Sequence, residues 1–295
     1  TLRNYVRVTT LDKTDMVWAV ANNRKYNYLS RPRRFGKSLF ASTLKCYFEG
    51  RKELFHGLKI MSIEDEWITR PVISLSMSLG GSDAKSLKEY LNERLSYYES
   101  VYGNVQSEQS LGNRFNGVIR RAYEKSGVQI AVIVDEYDVP LQHTYDTDQH
   151  EECRTIYRDF FTGLKDFGYC IKCVFITGIT KFTQISLFST LNTIANISFD
   201  DSLAAVCGIT HSELTDNFQN EIKRLADKCN MSEEATISEM QSLYDGYHFS
   251  QNMQNVYNPY SVLSAFSRGR LNSYWIASGS NEMLFKMLEK FAKDI

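Results

Sequence analysis

The chain has 295 residues, 43% hydrophobic and 23% charged, the balance of a globular protein able to bury a sizeable core in one domain or two. Its 34 basic side chains face 35 acidic ones, a formal net charge of −1, so global charge draws it neither to nucleic acid nor to a membrane surface. No apolar run is long enough to cross a bilayer and no signal peptide is visible, so no membrane association and a cytoplasmic location are expected.

The first element is a helix start at Asp12-Lys13. Next comes Tyr28-Leu29-Ser30-Arg31-Pro32-Arg33-Arg34-Phe35-Gly36-Lys37-Ser38-Leu39. A short apolar stretch, a tight turn and an amphipathic stretch in that order make a strand, a loop and a helix. Such a loop cradles phosphates with backbone N–H groups. Lys37 would meet the β- and γ-phosphates of ATP and Ser38 would ligate Mg²⁺, as in a Walker A loop. The general pattern places a glycine where this chain has Arg31. Arg31, Arg33, Arg34 and Lys37 put four cations in seven residues, which suits a polyanion. The expected phosphate-loop set is Arg33, Arg34, Phe35, Gly36, Lys37, Ser38 and Leu39.

The helix over residues 37–48 is expected to turn Leu39, Phe40, Leu44, Tyr47 and Phe48 to one face and to end at Gly50. A strand follows at 72–77, then a helix capped by Asp83 with Leu87, Tyr90, Leu91, Leu95 and Tyr98 inward. A further helix spans about 111–125 and stops at Gly127. Ile130-Ala131-Val132-Ile133-Val134 then reads as a strand buried on both faces, and it empties into Asp135-Glu136-Tyr137-Asp138. A desolvated carboxylate needs a partner or a metal. Asp135 is placed to complete a Mg²⁺ shell in Walker B fashion and Glu136 to orient or deprotonate a water. The alternative is that both acids simply begin a solvated turn.

A helix carrying Ile156, Tyr157, Phe160, Phe161 and Leu164 is expected to close at Gly168. Strand 171–176 ends in Thr177-Gly178, and 197–199 reads as a last short strand. Strand–helix alternation of this kind means a mostly parallel sheet with helices on both faces. Ligands in such sheets bind at the carboxyl ends of the strands, where Lys37, Asp135 and Thr177 all fall. Cys170 and Cys173 form a C-x-x-C without a second ligand pair, so reduced buried thiols are expected. From about Gly208 the pattern turns helical, with a capping box at Thr210–Glu213, a helix opening at Ser232, another at Asn258-Pro259 and a fourth from Ser280 to about Lys293. Tyr244–Phe249 reads as a packed turn, with a nucleotide contact as the alternative. The expected division is an α/β core over 1–207 and a smaller helical lid over 208–295.

Several segments together resemble the AAA-ATPase-like family of bacterial P-loop proteins. They are residues 11–14, 30–38, 135–138, 177–182, 187–192, 244–249, 257–260 and 274–280, nearly the whole length. In that family Arg-Pro-Arg-Arg-Phe-Gly-Lys-Ser is the usual loop, which accounts for Arg31. The resemblance implies a strand ending at Thr177 between the phosphate-loop strand and the Asp135 strand, with Thr177 near the γ-phosphate as a polar sensor. A strand-end hydroxyl satisfying a turn is the alternative. Arg33 and Arg34 would clamp phosphates, act on a neighbouring subunit or pair with acids such as Asp138, and Asp12 and Lys13 would line the base or ribose side, with a plain helix start as the alternative. Family members often continue into a restriction-endonuclease-like domain, so a nuclease-like domain or nucleic acid is an expected partner of a longer protein. Oligomeric state stays open. The expected function is ATP binding with Mg²⁺-dependent hydrolysis that drives a switch or motor. The alternatives are a nucleotide-sensing scaffold without hydrolysis and a nucleic-acid-binding module.

Overall fold

A computed structural model describes residues 11–164, 166–179, 194–252 and 254–274. These divide into two compact units. One comprises Asp12–Arg31 and Lys37–Ser198; the other holds Leu11, Pro32–Gly36 and residues 199–274.

The first unit is built on β1 (Tyr26–Ser30), β2 (Val72–Ser76), β3 (Ile130–Asp135), β4 (Ile171–Gly178) and β5 (Ala195–Asn196). All pair in parallel in the order β2-β3-β4-β1-β5, the α/β class expected. The helices are α1 (Thr14–Asn23), α2 (Lys37–Phe48), α3 (Ala84–Tyr102), α4 (Leu111–Ser126), α5 (Val139–His143) and α6 (His150–Phe161). Because strand side chains alternate, the central strands need cover on both faces. Val132, Val134, Val174 and Ile176 share a core with Leu87 and Leu91 of α3, Val118 and Ile119 of α4 and Phe160 of α6. Phe175 points the other way, and its ring centroid lies 5.4 Å from that of Phe40 on α2. Asp83 and Ser110 cap α3 and α4 by accepting from the Ser86 and Asn113 N–H groups.

Four expectations are corrected. On α2, Leu39 and Tyr47 are only half-buried while Ala41 and Cys46 face inward; the Tyr47 phenol turns out to donate to the Glu64 carboxylate. Strand β2 stops at Ser76, and Met77–Leu79 is a 3-10 turn. Helix α6 ends at Phe161, with 3-10 turns at Thr162–Leu164 and Gly168–Cys170. The last strand is Ala195–Asn196, and Ile197–Phe199 is a 3-10 turn whose bend delivers Ser198 to the end of β1. The Thr180–Phe182, 187–192 and 275–280 segments and the helix expected from Ser280 lie outside the described residues.

Among the described residues β2 ends the sheet, and tyrosine hydroxyls meet its main-chain groups at Ser74 and Ser76. Tyr98 accepts from the Ser74 N–H at 2.7 Å and donates to the Ser74 carbonyl at 3.1 Å. Tyr90 accepts from the Ser76 N–H at 2.9 Å. Tyr98→Phe strands two groups of the edge strand, so unfolding free energy should fall by about 1–2 kcal/mol. Urea denaturation should show a lower midpoint with an unchanged slope, whereas Tyr97→Phe, at an exposed position, should leave the midpoint where it is.

The second unit contains α7 (His211–Asn217), α8 (Gln219–Cys229), α9 (Glu233–Tyr244) and α10 (Pro259–Arg268), around Leu214, Ile222, Leu225, Met240, Tyr257 and Val262. The Thr210 capping box and the Ser232 and Asn258 caps form as expected. A short antiparallel hairpin, β6 (Tyr247–His248) with β7 (Asn255–Val256), stands where a packed turn was expected. No helix among the described residues is long and apolar enough to cross a membrane.

Candidate functional site

The carboxyl ends of three adjacent strands carry the chemistry. Ser30 pairs with Gly178 and Val134 with Ile176, so the ends of β1 and β3 flank Thr177-Gly178 on β4. The Thr177 strand therefore lies between the phosphate-loop strand and the acidic one, as the resemblance implied. At the β1 side, the Arg31 N–H donates to the Gly178 carbonyl at 3.4 Å. Lys37 opens α2, is only 6% exposed, and its ammonium donates to the Arg31 carbonyl at 2.9 Å. A lysine this buried is costly unless its charge meets polar partners. Ser38, next on the same first turn, is exposed.

On the β3 side, the acidic turn is stitched to β4. Thr177, fully buried, donates its hydroxyl to Asp135 Oδ1 and accepts from the Glu136 N–H at 3.2 Å. The Thr177 carbonyl accepts from the Tyr137 N–H at 3.0 Å, and Asp138 Oδ2 accepts from the Ile179 N–H at 2.8 Å. Glu136 sits at φ +54°, a left-handed conformation unfavourable for a residue with a side chain. Gly178 permits this approach: a Cβ there would lie 2.5 Å from the Tyr137 ring and 2.9 Å from Asp138 Oδ1. Beneath the turn, Tyr28 packs edge-on to Tyr137 at 5.7 Å and the Tyr157 hydroxyl donates to the Tyr137 carbonyl at 2.8 Å. Burial first, and then the Tyr137 phenol and the Asp138 carboxylate, push the Tyr28 phenol far above its ordinary range. Burial and then Asp138 do the same for Tyr157. Both phenols therefore stay protonated near neutrality.

The loop itself, Pro32–Gly36, belongs to the second unit. Gly36 has φ +91°, and a Cβ there would meet nothing within 4 Å. Only glycine takes that conformation at little cost. Phe35 is buried and Arg34 is exposed.

Thus Lys37, Asp135, Glu136 and Thr177 come to one edge of the sheet, while Leu39 is half-buried on α2 and Asp12 is engaged elsewhere. The Asp12 carboxylate accepts from the Thr14 and Lys59 N–H groups, at 2.9 and 2.6 Å, tying the start of α1 to the 3-10 turn at Lys59–Ser62. Arg31 departs from the expectation that the four cations of this run would share one polyanion. It is 1% exposed, and its guanidinium donates to the Ser30 and Ser198 carbonyls at 2.9 and 2.7 Å. Ser198 Oγ also accepts from the Ser30 N–H at 2.8 Å. Where the general loop pattern has glycine, this chain thus has a side chain tying β1 to the turn after β5. Sequence reasoning missed Ser198, Asp138 and Gly178 as parts of this edge. The Asp135–Asp138 spacing and the small residue after Thr177 were the available signals. Cys170 and Cys173 are buried and not disulfide-bonded, and burial raises both thiols, Cys173 to about 12.

The residues of the first unit fit an anion with a hard cation: a buried ammonium at Lys37, an exposed hydroxyl at Ser38 and a strand-end carboxylate at Asp135. A family model described as predicted AAA-ATPase matches residues 3–188. A protein of Azotobacter chroococcum mcd 1, described as an uncharacterized protein in the vnfD 5' region, is 32% identical over 282 residues, 94% of this chain and 52% of that protein. The chain therefore spans about half the length of this relative.

Proposed function

The chain belongs to the predicted AAA-ATPase family, and from that premise we propose that it binds ATP with Mg²⁺, hydrolyses it slowly, and serves as the switch or motor module of a longer protein. Family membership supports ATP binding itself. The observation that carries the finer reading is the buried Lys37 ammonium, held at 2.9 Å on the Arg31 carbonyl, at the same sheet edge as Asp135 and Glu136. Lys37 would exchange that carbonyl for phosphate oxygens, aided by the Gly36 and α2 N-terminal amides. Ser38 and Asp135 would hold Mg²⁺, which when bound neutralises charge on the β- and γ-oxygens.

Among the described residues no group of three His, Cys, Asp or Glu side chains could hold a metal. Mg²⁺ is commonly held by one or two carboxylates together with substrate phosphates, and Asp135 with Ser38 would be this chain's share of such a set. Glu136, with its backbone fixed through Thr177, would orient the attacking water and take its proton. Thr177 acts in this reading on the two acids, through the bonds its hydroxyl makes. Arg33 and Arg34 are candidates for phosphate contact; Arg31 is not.

Calorimetric titration of the chain with ATP tests the binding step. Binding should be saturable and at least about tenfold tighter with Mg²⁺ than with EDTA, the increment expected of a charge-assisted contact set. Labelled ATP should release phosphate only when Mg²⁺ is present. Binding without release would leave a nucleotide-sensing scaffold.

A further inference from the structure

The phosphate loop is held in a conformation that it would not adopt unaided. Two of its residues lie in the left-handed region, Gly36 at φ +91° and Arg34 at φ +69°. The second is unfavourable for any residue with a side chain, and such strain persists only where the surroundings over-determine it. The C-terminal unit, to which Pro32–Gly36 belongs, supplies those surroundings. Phe35, 1% exposed, meets the Tyr247 ring edge-on at 4.9 Å and the Phe249 ring at 5.7 Å with an interplanar angle of 90°. The Arg34 guanidinium carbon lies 5.0 Å from the centroid of the Tyr260 ring, at the start of α10. Edge-to-face rings and a cation over a ring face are both attractive geometries. They grip adjacent residues, 34 and 35, immediately before the glycine and the lysine on which phosphate binding depends.

We propose that Tyr247, Phe249 and Tyr260 are positioning residues for nucleotide binding, holding Arg34 and Phe35 so that the Gly36 turn stays open to phosphate. The proposal rests on the ATP reading above. The three rings act through the loop and not on the nucleotide. ATP affinity is then set from a hairpin and a helix start more than 200 residues further along the chain. Any event that displaces that hairpin releases the loop, which gives a switch a physical input.

The test uses the full chain and MgATP titrated by calorimetry, with melting temperature read in parallel. Phe35→Leu, Phe249→Leu and Tyr260→Leu keep apolar volume but lose the ring geometry. Each should weaken MgATP binding about tenfold, the scale of one strained residue left unsupported. Phe249→Tyr, which keeps the ring, should bind like the unaltered protein. The Phe35→Leu/Phe249→Leu double variant should be no weaker than Phe35→Leu alone, because Phe35→Leu already removes the contact that Phe249 makes. Phe218→Leu loses a ring stacked on Phe266 at 5.5 Å in the same unit; it should lower the melting temperature and leave affinity within about twofold, as expected for a site with no shared partners. If Phe35→Leu does not fold, the half-buried Phe249 and Tyr260 positions decide. Binding within about twofold of wild type in Phe249→Leu and Tyr260→Leu would overturn the inference alone. Failure of the unaltered chain to bind MgATP would overturn it together with the ATP reading.

Discussion

Lys37→Ala should abolish measurable ATP binding, raising Kd by about 100-fold or more, since a charge-assisted bond in a desolvated setting contributes roughly 1.5–3 kcal/mol and the β- and γ-phosphates would each lose one. The same substitution should cost little stability. The ammonium is nearly buried, and removing a buried charge also removes its desolvation penalty. The Arg31 carbonyl loses one donor, a cost on the scale of one hydrogen bond that the relieved desolvation offsets. Melting temperature should therefore stay within a few degrees, on the scale expected for about 1 kcal/mol in a chain of this size. Lys37→Arg should not restore binding, because a planar fork cannot stand in for a compact point charge. Retained affinity in Lys37→Ala would remove the loop from the site.

Glu136→Gln should leave MgATP binding within about threefold and slow single-turnover phosphate release about 100-fold or more, the usual contribution of a positioned general base. The backbone at this residue makes a second, independent signature available. Glu136 is held at φ +54°, and glycine adopts that conformation without the cost a side chain incurs. Glu136→Gly should therefore be as inactive as Glu136→Gln and more stable than wild type by up to about 1 kcal/mol. That combination, a dead but stabilised protein, is expected only where strain is retained for function. An unchanged rate in Glu136→Gln would take residue 136 out of the chemistry, and a destabilised Glu136→Gly would show that its side chain serves the fold.

The parts of this protein visible from sequence are those encoded locally. Ile130–Val134 is apolar and β-branched enough to be a strand whatever surrounds it. Asp83, Ser110, Thr210, Ser232 and Asn258 cap helices through bonds that reach only three residues. Gly-Lys-Ser and Asp-Glu at strand ends announce the site through composition that a buried strand would otherwise avoid. The remainder depends on partners far away in the chain. Arg31 looked like a phosphate cation because it lies among cations, yet its fate is fixed by the Ser198 carbonyl, 167 residues away. Tyr90 and Tyr98 were assigned correctly to the buried face of α3, but nothing local shows that their hydroxyls would close the edge of β2. Strands β6 and β7 have two residues each, too short to display a period of two. Phe35 stands in the expected phosphate-loop set, and only Tyr247 and Phe249, placed beside it, show its ring packed against the C-terminal unit.

A crystal structure of the chain with a non-hydrolysable ATP analogue and Mg²⁺ tests most directly whether Lys37, Asp135 and Glu136 serve one nucleotide. The account predicts a triphosphate on the Gly36 turn, the Lys37 ammonium moved from the Arg31 carbonyl to phosphate oxygen, and Asp135 on the metal side. An analogue bound elsewhere, or a Lys37 still seated on Arg31 with the analogue present, would contradict it.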